Sequence, residues 1–154
     1  MENPSRELIS EHDSILAGLK ILEKMTMLLQ DGQQVEIKDL EEMINFLKLF
    51  ADKSHHGKEG DILFPAMEKA GIPKEKGPIG QMLLEHEQGR EYIKQMGTSI
   101  KDGDLIKHEF IQGASNYINL LRAHIKKENM VLFPMGDKVL PADEQEKISA
   151  RFRE

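Results

Sequence analysis

The chain has 154 residues, with 27 acidic residues against 21 basic ones and no cysteine. That length suits one domain, residues 1–154, with a core of its own, and the lack of thiols excludes disulfide frameworks, thiolate metal sites and thiol catalysis. A formal net charge of −6 without a basic block argues against nucleic acid as a partner, and no stretch approaches the ~18 to 20 apolar residues that span a bilayer, so no membrane partner is expected.

The segment from Met1 to Glu7 has no basic start followed by an apolar run, so a cytoplasmic location is expected. Apolar residues recur at three and four almost throughout, and the expected fold class is all-α. Helix one opens with Asn3 as cap and Pro4 in the first turn. It sets Leu8, His12, Ile15, Leu16, Leu19 and Leu22 on one face and stops near Asp31-Gly32. Helix two runs from about Glu36 through His55 and Glu59, with Met43, Ile44, Leu47, Ala51 and Ile62 on the same side. Gly57 and Gly60 weaken it, and Pro65 is expected to bend or break it before a short tail ends at Gly71.

Helix three opens with Pro78 after Gly77 and gathers Ile79, Met82, Leu83, His86 and Ile93. It ends near Gly97 or the Lys101-Asp102-Gly103 turn. Helix four spans about Asp104 to Met135, with Phe110, Tyr117, Leu120, Leu121, His124, Glu128, Val131 and Leu132 inward. Pro141 to Phe152 reads as a short fifth helix with a structural role.

One signature occurs twice along these helices: His55, Glu59 and Leu63-Phe64-Pro65, then His124, Glu128 and Leu132-Phe133-Pro134, 69 residues later. Residues four apart on a helix share a face, roughly 5 to 6 Å from each other, so an imidazole nitrogen and a carboxylate oxygen can hold one metal ion. A shorter repeat precedes each copy, Glu11-His12-Asp13 against Glu85-His86-Glu87. If short loops make the helices alternate up-down-up-down, the starts of the odd helices and the ends of the even ones share one end. The expected architecture is therefore a four-helix bundle with a short C-terminal extra helix, enclosing His12, His55, Glu59, His86, His124 and Glu128 as candidate metal ligands.

A cluster of buried ionisable groups with no counter-ion or metal costs several kcal/mol, which favours the metal reading over isolated polar residues. Four imidazoles and two carboxylates suit a pair of first-row metals. If both glutamates bridge and solvent adds a third bridge, one octahedral position stays open on each ion, where a diatomic or peroxide fits.

Several residues carry rival readings. His56 competes with His55 because it lies three before Glu59, but the repeat sets Ile125 opposite His56 and His124 opposite His55. His56 is left as an extra ligand or a partner of one. Metal-bound histidines donate their other N–H to a carboxylate or carbonyl; Glu11, Glu85 and Glu87 lie within reach, although each reads more simply as a solvated face residue. Tyr117 is either core or a donor above the metals. Arg90 either faces the site, favouring an anionic ligand, or pairs with an outward glutamate. His108 reads as surface, the nine methionines as core filling where inward, and the Leu-Phe-Pro segments as an apolar wedge whose proline ends or kinks the helix.

The doubled signature, with its Glu-His-Asp or Glu-His-Glu histidine opening the preceding helix, resembles the hemerythrin-like family of histidine/glutamate (HHE) cation-binding domains over roughly residues 5 to 136. The resemblance implies a four-helix bundle around a non-haem, oxo- or hydroxo-bridged di-iron centre. It matches His12, His55, Glu59, His86, His124 and Glu128 to the family's ligand positions; manganese fits the same donors. Oxygen-carrying members have a further histidine where this chain has Arg90, and an aspartate where it has Asn129. The more symmetric set resembles the branch that includes nitric-oxide-responsive iron-centre repair proteins, which often carry a cysteine-containing N-terminal segment. The implied function is binding of O2, peroxide or NO at an open coordination site, as carrier, sensor or scavenger, with an external electron donor as a further partner. The alternatives are a peroxide or nitric oxide reductase, or an iron-centre repair or iron-donor protein.

Overall fold

Asn3 begins the first helix as its residue type dictates, its side-chain oxygen accepting hydrogen bonds from the backbone N–H groups of Ser5 and Arg6 at 2.9 and 3.3 Å. In the computed structural model, which describes residues 3–154, helix α1 (Pro4–Gln30) follows and gives way at Gly32, whose φ of +79° suits a residue without a side chain. Helix α2 covers residues 37–69, α3 is Pro78–Thr98, α4 covers residues 107–139 and α5 is Ala142–Phe152. The chain is all-α apart from a pair of two-residue strands, β1 (Ile100–Lys101) and β2 (Asp104–Leu105), which pair antiparallel.

That hairpin corrects one expectation. Helix four begins at Lys107 rather than about Asp104, because Asp102 and Gly103 both take positive φ, 53° and 80°, the backbone of a tight hairpin turn. The Lys101-Asp102-Gly103 turn is where the sequence places one; the short strands on either side of it are what the sequence reading did not include.

At the prolines the structure rules out one of the two expected outcomes: neither Pro65 nor Pro134 breaks its helix, and α2 continues to Lys69 and α4 to Val139. In a regular α-helix a proline ring strikes the carbonyl four residues back. Here a π-helical turn precedes each proline, Glu59–Leu63 in α2 and Glu128–Leu132 in α4, and the Phe64 and Phe133 N–H groups donate five residues back, to the Glu59 and Glu128 carbonyls. The wider coil accommodates the ring. It also rotates the helix face: Val131, expected inward, is 51% exposed, while Leu132 and Phe133 are buried. In α2, Ile62 is only partly buried, and Leu63 and Phe64 are fully inside. A further π-helical run, Leu47–His56, leads up to the first histidine pair.

Helix α3 packs along α4, α1 packs along α4, and α2 touches both α1 and α3; α5 lies against α1 and the Glu59–Leu63 turn. The buried apolar residues form two clusters. One holds Ile15, Ala51, Ile93, Tyr117 and Leu121, the other Leu8, Leu63, Met82, Leu132 and Phe152. On each of the first four helices one polar residue or pair falls between these clusters: His12, His55 with Glu59, His86, and His124 with Glu128, all buried. Water is thereby excluded from above and below the layer. Among the described residues no helix is long and apolar enough to cross a membrane.

The loop into α3 is tightly drawn, with the Gly80 N–H donating to the Lys74 carbonyl at 3.0 Å. A Cβ at Gly80 would sit 2.5 Å from that oxygen. Gly80→Ala is therefore expected to destabilise the fold by about 1–3 kcal/mol, the usual cost of forcing a group into filled space, against the ~1 kcal/mol gain that helix propensity alone gives. Urea unfolding reads the sign directly, and a stabilised variant would show that the loop yields without cost.

Candidate metal centre

Four imidazoles meet two carboxylates in the polar layer. The Nε2 atoms of His12 and His124 lie 3.1 and 3.4 Å from Glu128 Oε1, and those of His86 and His55 lie 3.0 and 3.5 Å from Glu59 Oε1 and Oε2. Each carboxylate thus faces one histidine from each half of the chain. The structure brings all six residues of the doubled signature together, although they span positions 12 to 128.

The opposite ring nitrogens are already engaged. His55 Nδ1–H donates to Glu11 Oε1 and His124 Nδ1–H to Glu85 Oε1, both at 2.8 Å, and His12 Nδ1–H donates to Asn129 Oδ1 at 2.7 Å. Lys58 and Lys127 in turn donate to Glu11 and Glu85. Of the two readings open for Glu11 and Glu85, histidine partner or solvated face, the structure takes the first: it half-buries Glu11, buries Glu85 and gives each to a histidine. Glu87 is exposed. The signal was present in the sequence, since Glu11 and Lys58 recur as Glu85 and Lys127 beside the same histidines. Asn129 and Asp52 gave no comparable signal, because neither has a polar counterpart in the other half.

Once Nδ1 carries the proton, Nε2 of a neutral imidazole is a lone pair. The centre then has lone pairs of His12, His55 and His124 facing carboxylate oxygens, with no donor among them. The buried His55 Nε2, His124 Nε2, Glu59 Oε2 and Glu128 Oε2 have no hydrogen-bond partner. A set of acceptors turned on one another in a dry layer is unfavourable unless cations lie between them. The donor set fits that requirement: two groups, His56/Glu59/His86/His124 and His12/His55/Glu59/Glu128, each bring their ligand atoms within 4.8 Å of one another.

That arrangement of neutral rings and ionised carboxylates is the metal-binding state; in the protein alone, protons stand in for the cations. Burial, together with the neighbouring Glu128, pushes the Glu59 carboxyl well above the usual carboxylate range. Burial acts on Glu128 too, but His124 and His12 outweigh it and hold that carboxyl well below the range. Burial disfavours the charged form of His124, yet Glu128 and Glu85 raise its pKa to about 10. Against burial, the bonds from His124, Gln81 and Lys127 bring Glu85 down to about 2. Without an ion, a proton on His124 faces the Glu128 carboxylate, and burial beside Glu128 favours the neutral form of Glu59.

The remaining candidates divide. His56 is buried and its ring stacks on His86 at 3.8 Å; burial lowers its pKa to about 4, so it is neutral. Arg90 pairs with an outward carboxylate, that of Asp52 rather than a glutamate, at 3.0 Å, and Asp52 also accepts from His56 Nδ1 at 3.4 Å. Tyr117 is wholly buried, and its hydroxyl has no partner. His108 is exposed. Phe133 stacks on His12 at 5.5 Å and Phe64 on His86 at 6.1 Å, so the Leu-Phe-Pro segments cover the histidines with rings.

Carboxylates that fix a ligand's outward N–H tune its basicity and orientation. Glu85→Ala is expected to weaken metal affinity by about 10–100-fold, measured by competition with a chromophoric chelator. A change below threefold would mean that His124 keeps its orientation without Glu85.

An all-helical chain with a water-excluded histidine and glutamate layer, able to hold metal cations, is the class of protein that fold and site define. The family model described as the hemerythrin HHE cation-binding domain matches residues 3–136, and the chain belongs to that family. A comparison with curated proteins gave no match.

Proposed function

We propose that this protein is a cytoplasmic, non-haem di-iron protein that binds O2 or a related small oxidant, peroxide or NO, as carrier, sensor or scavenger. His12, His55, His86 and His124 would supply one nitrogen each and Glu59 and Glu128 would each serve both ions. The observation that carries the reading is the facing of histidine Nε2 atoms onto two buried carboxylates, each with one oxygen that has no hydrogen-bond partner, while the Nδ1 atoms of His12, His55 and His124 are already bound elsewhere.

In this reading the four long helices alternate up-down-up-down as a four-helix bundle within one domain, residues 1–154. Support comes from the order of the layers: α1 and α3 run from the Leu8 cluster through a histidine to the Ile15 cluster, and α2 and α4 run the other way. When bound, the ions supply Lewis acidity and redox capacity toward a small ligand. The chain itself does the holding: Glu11, Glu85 and Asn129 orient three imidazoles, and the two apolar clusters exclude water.

The test is metal analysis of protein isolated without added metal, combined with visible spectra under O2, peroxide, NO and azide. Two iron ions per chain and a reversible band without product support binding. Consumption of peroxide or NO with oxidation of a donor would replace that role by a reductase, and rapid loss of iron to an apo acceptor by iron delivery. Protein without metal would overturn the reading.

A further inference from the structure

The two halves of the centre differ at the surface. A cleft of about 420 Å³ lies between α2 and α3, lined among others by His56, Gly57, Gly60, Leu83, His86 and Arg90. His86 belongs to the six-residue layer, so the floor of this cleft is one residue of that layer, with His56 beside it. In the repeat, Gly57 and Gly60 correspond to Lys126 and Asn129, and His56 corresponds to Ile125. Asn129 closes the second half by bonding the His12 ring. The first half has only a hydrogen at the matching position, Gly60.

The openness does not come from a packing constraint on the glycines. A Cβ at Gly57 would meet nothing within 4 Å, and one at Gly60 only Leu83 Cδ2 at 3.6 Å. Larger side chains would extend into the cleft without disturbing the helix. His56 forms its inner wall, stacked on His86 with 14° between the rings. A ring nitrogen of His56 lies within 4.8 Å of donor atoms on Glu59, His86 and His124. Imidazoles bound to one ion converge on it, whereas these two rings run nearly parallel, which suits a neighbour of the ligands better than a further ligand. Asp52, itself held by Arg90, accepts from Nδ1 and fixes the ring.

We propose that this cleft is the doorway to the centre for a polar ligand of two or three atoms, and that His56 is the positioning residue that meets the ligand beside His86. The inference rests on the di-iron reading above and adds to it a direction: the ligand arrives at the His86 and His124 side, through the glycine wall of α2.

The experiment uses iron-loaded protein, stopped-flow mixing with sodium azide, and metal analysis of every variant. Gly57→Leu and Gly60→Leu are expected to retain two ions per chain and to slow azide binding by at least about tenfold, within the range over which association rates respond to access. Removal of iron by a small chelator should slow in parallel. Lys126→Leu, at the position matching Gly57 in the other half, should leave both rates unchanged. His56→Ile, which copies Ile125, should keep two ions and weaken binding of hydrogen peroxide, whose O–H can donate to the His56 Nε2 lone pair, by about tenfold, the worth of one hydrogen bond. Where a leucine variant does not fold, alanine at the same glycine reads the same direction with a smaller slowing. Unchanged azide rates in the glycine variants would overturn the doorway, and loss of an ion in His56→Ile would make His56 a resident ligand instead. Wild-type protein that binds no metal would overturn the di-iron reading first, and metal analysis tells that failure from the others.

Discussion

Glu59→Ala and Glu128→Ala are each expected to remove more than half of the bound metal. Glu59 sets Oε1 against His86 of the second half and Oε2 against His55 of the first; Glu128 sets Oε1 against both His12 of the first half and His124 of the second, and its Oε2 has no hydrogen-bond partner. In the di-iron reading a carboxylate so placed would serve both ions, so its loss would weaken two sites. His86→Ala, by contrast, removes a nitrogen from one side only and should cost at most one ion. Because both glutamates are wholly buried, alanine also leaves the facing imidazoles without a counter-charge. Metal per chain after gel filtration gives the answer. Retention of two ions by either glutamate variant would show that the carboxylates do not bridge.

Stripping the metal is expected to lower the melting temperature by about 10 °C or more. A ligand held at a thousand times its dissociation constant stabilises the native state by ≈4 kcal/mol, and for a chain near this length each kcal/mol shifts the midpoint by roughly 2–4 °C. The metal-free centre has no good substitute, since Glu59 and Glu128 oppose each other in a layer closed by apolar clusters. Calorimetry of metal-loaded and chelator-treated protein measures the difference. A shift below about 3 °C would mean that metal binding contributes less than ~1 kcal/mol to the fold.

The helical class was legible because apolar spacing is set locally: Leu8, Ile15, Leu19 and Leu22 are buried as the three-and-four rhythm of α1 requires. The histidine and glutamate pairs were legible because they are repeated. What local spacing could not reveal was the change of helical pitch. Nothing in the run from Glu128 to Leu132 distinguishes a π turn from an α turn, so Val131 was expected inside, where the structure exposes it. The same turn explains why two prolines sit inside continuing helices. The hairpin before α4 had its Asp-Gly signal, but with only two residues on each side there was no alternation to support it.

By itself the sequence determined which residues could carry chemistry, because residue type and repeat spacing are properties of the chain: two histidines and a glutamate, twice in the same order, on helices that bury them. Only the tertiary structure decided their partners. Glu11 with His55, Glu85 with His124 and Asn129 with His12 join different helices, and His56 beside His86 distinguishes one half from the other. These contacts depend on the rotation and offset of helices distant in sequence, and those are fixed by packing over the whole core rather than by the local order of residues.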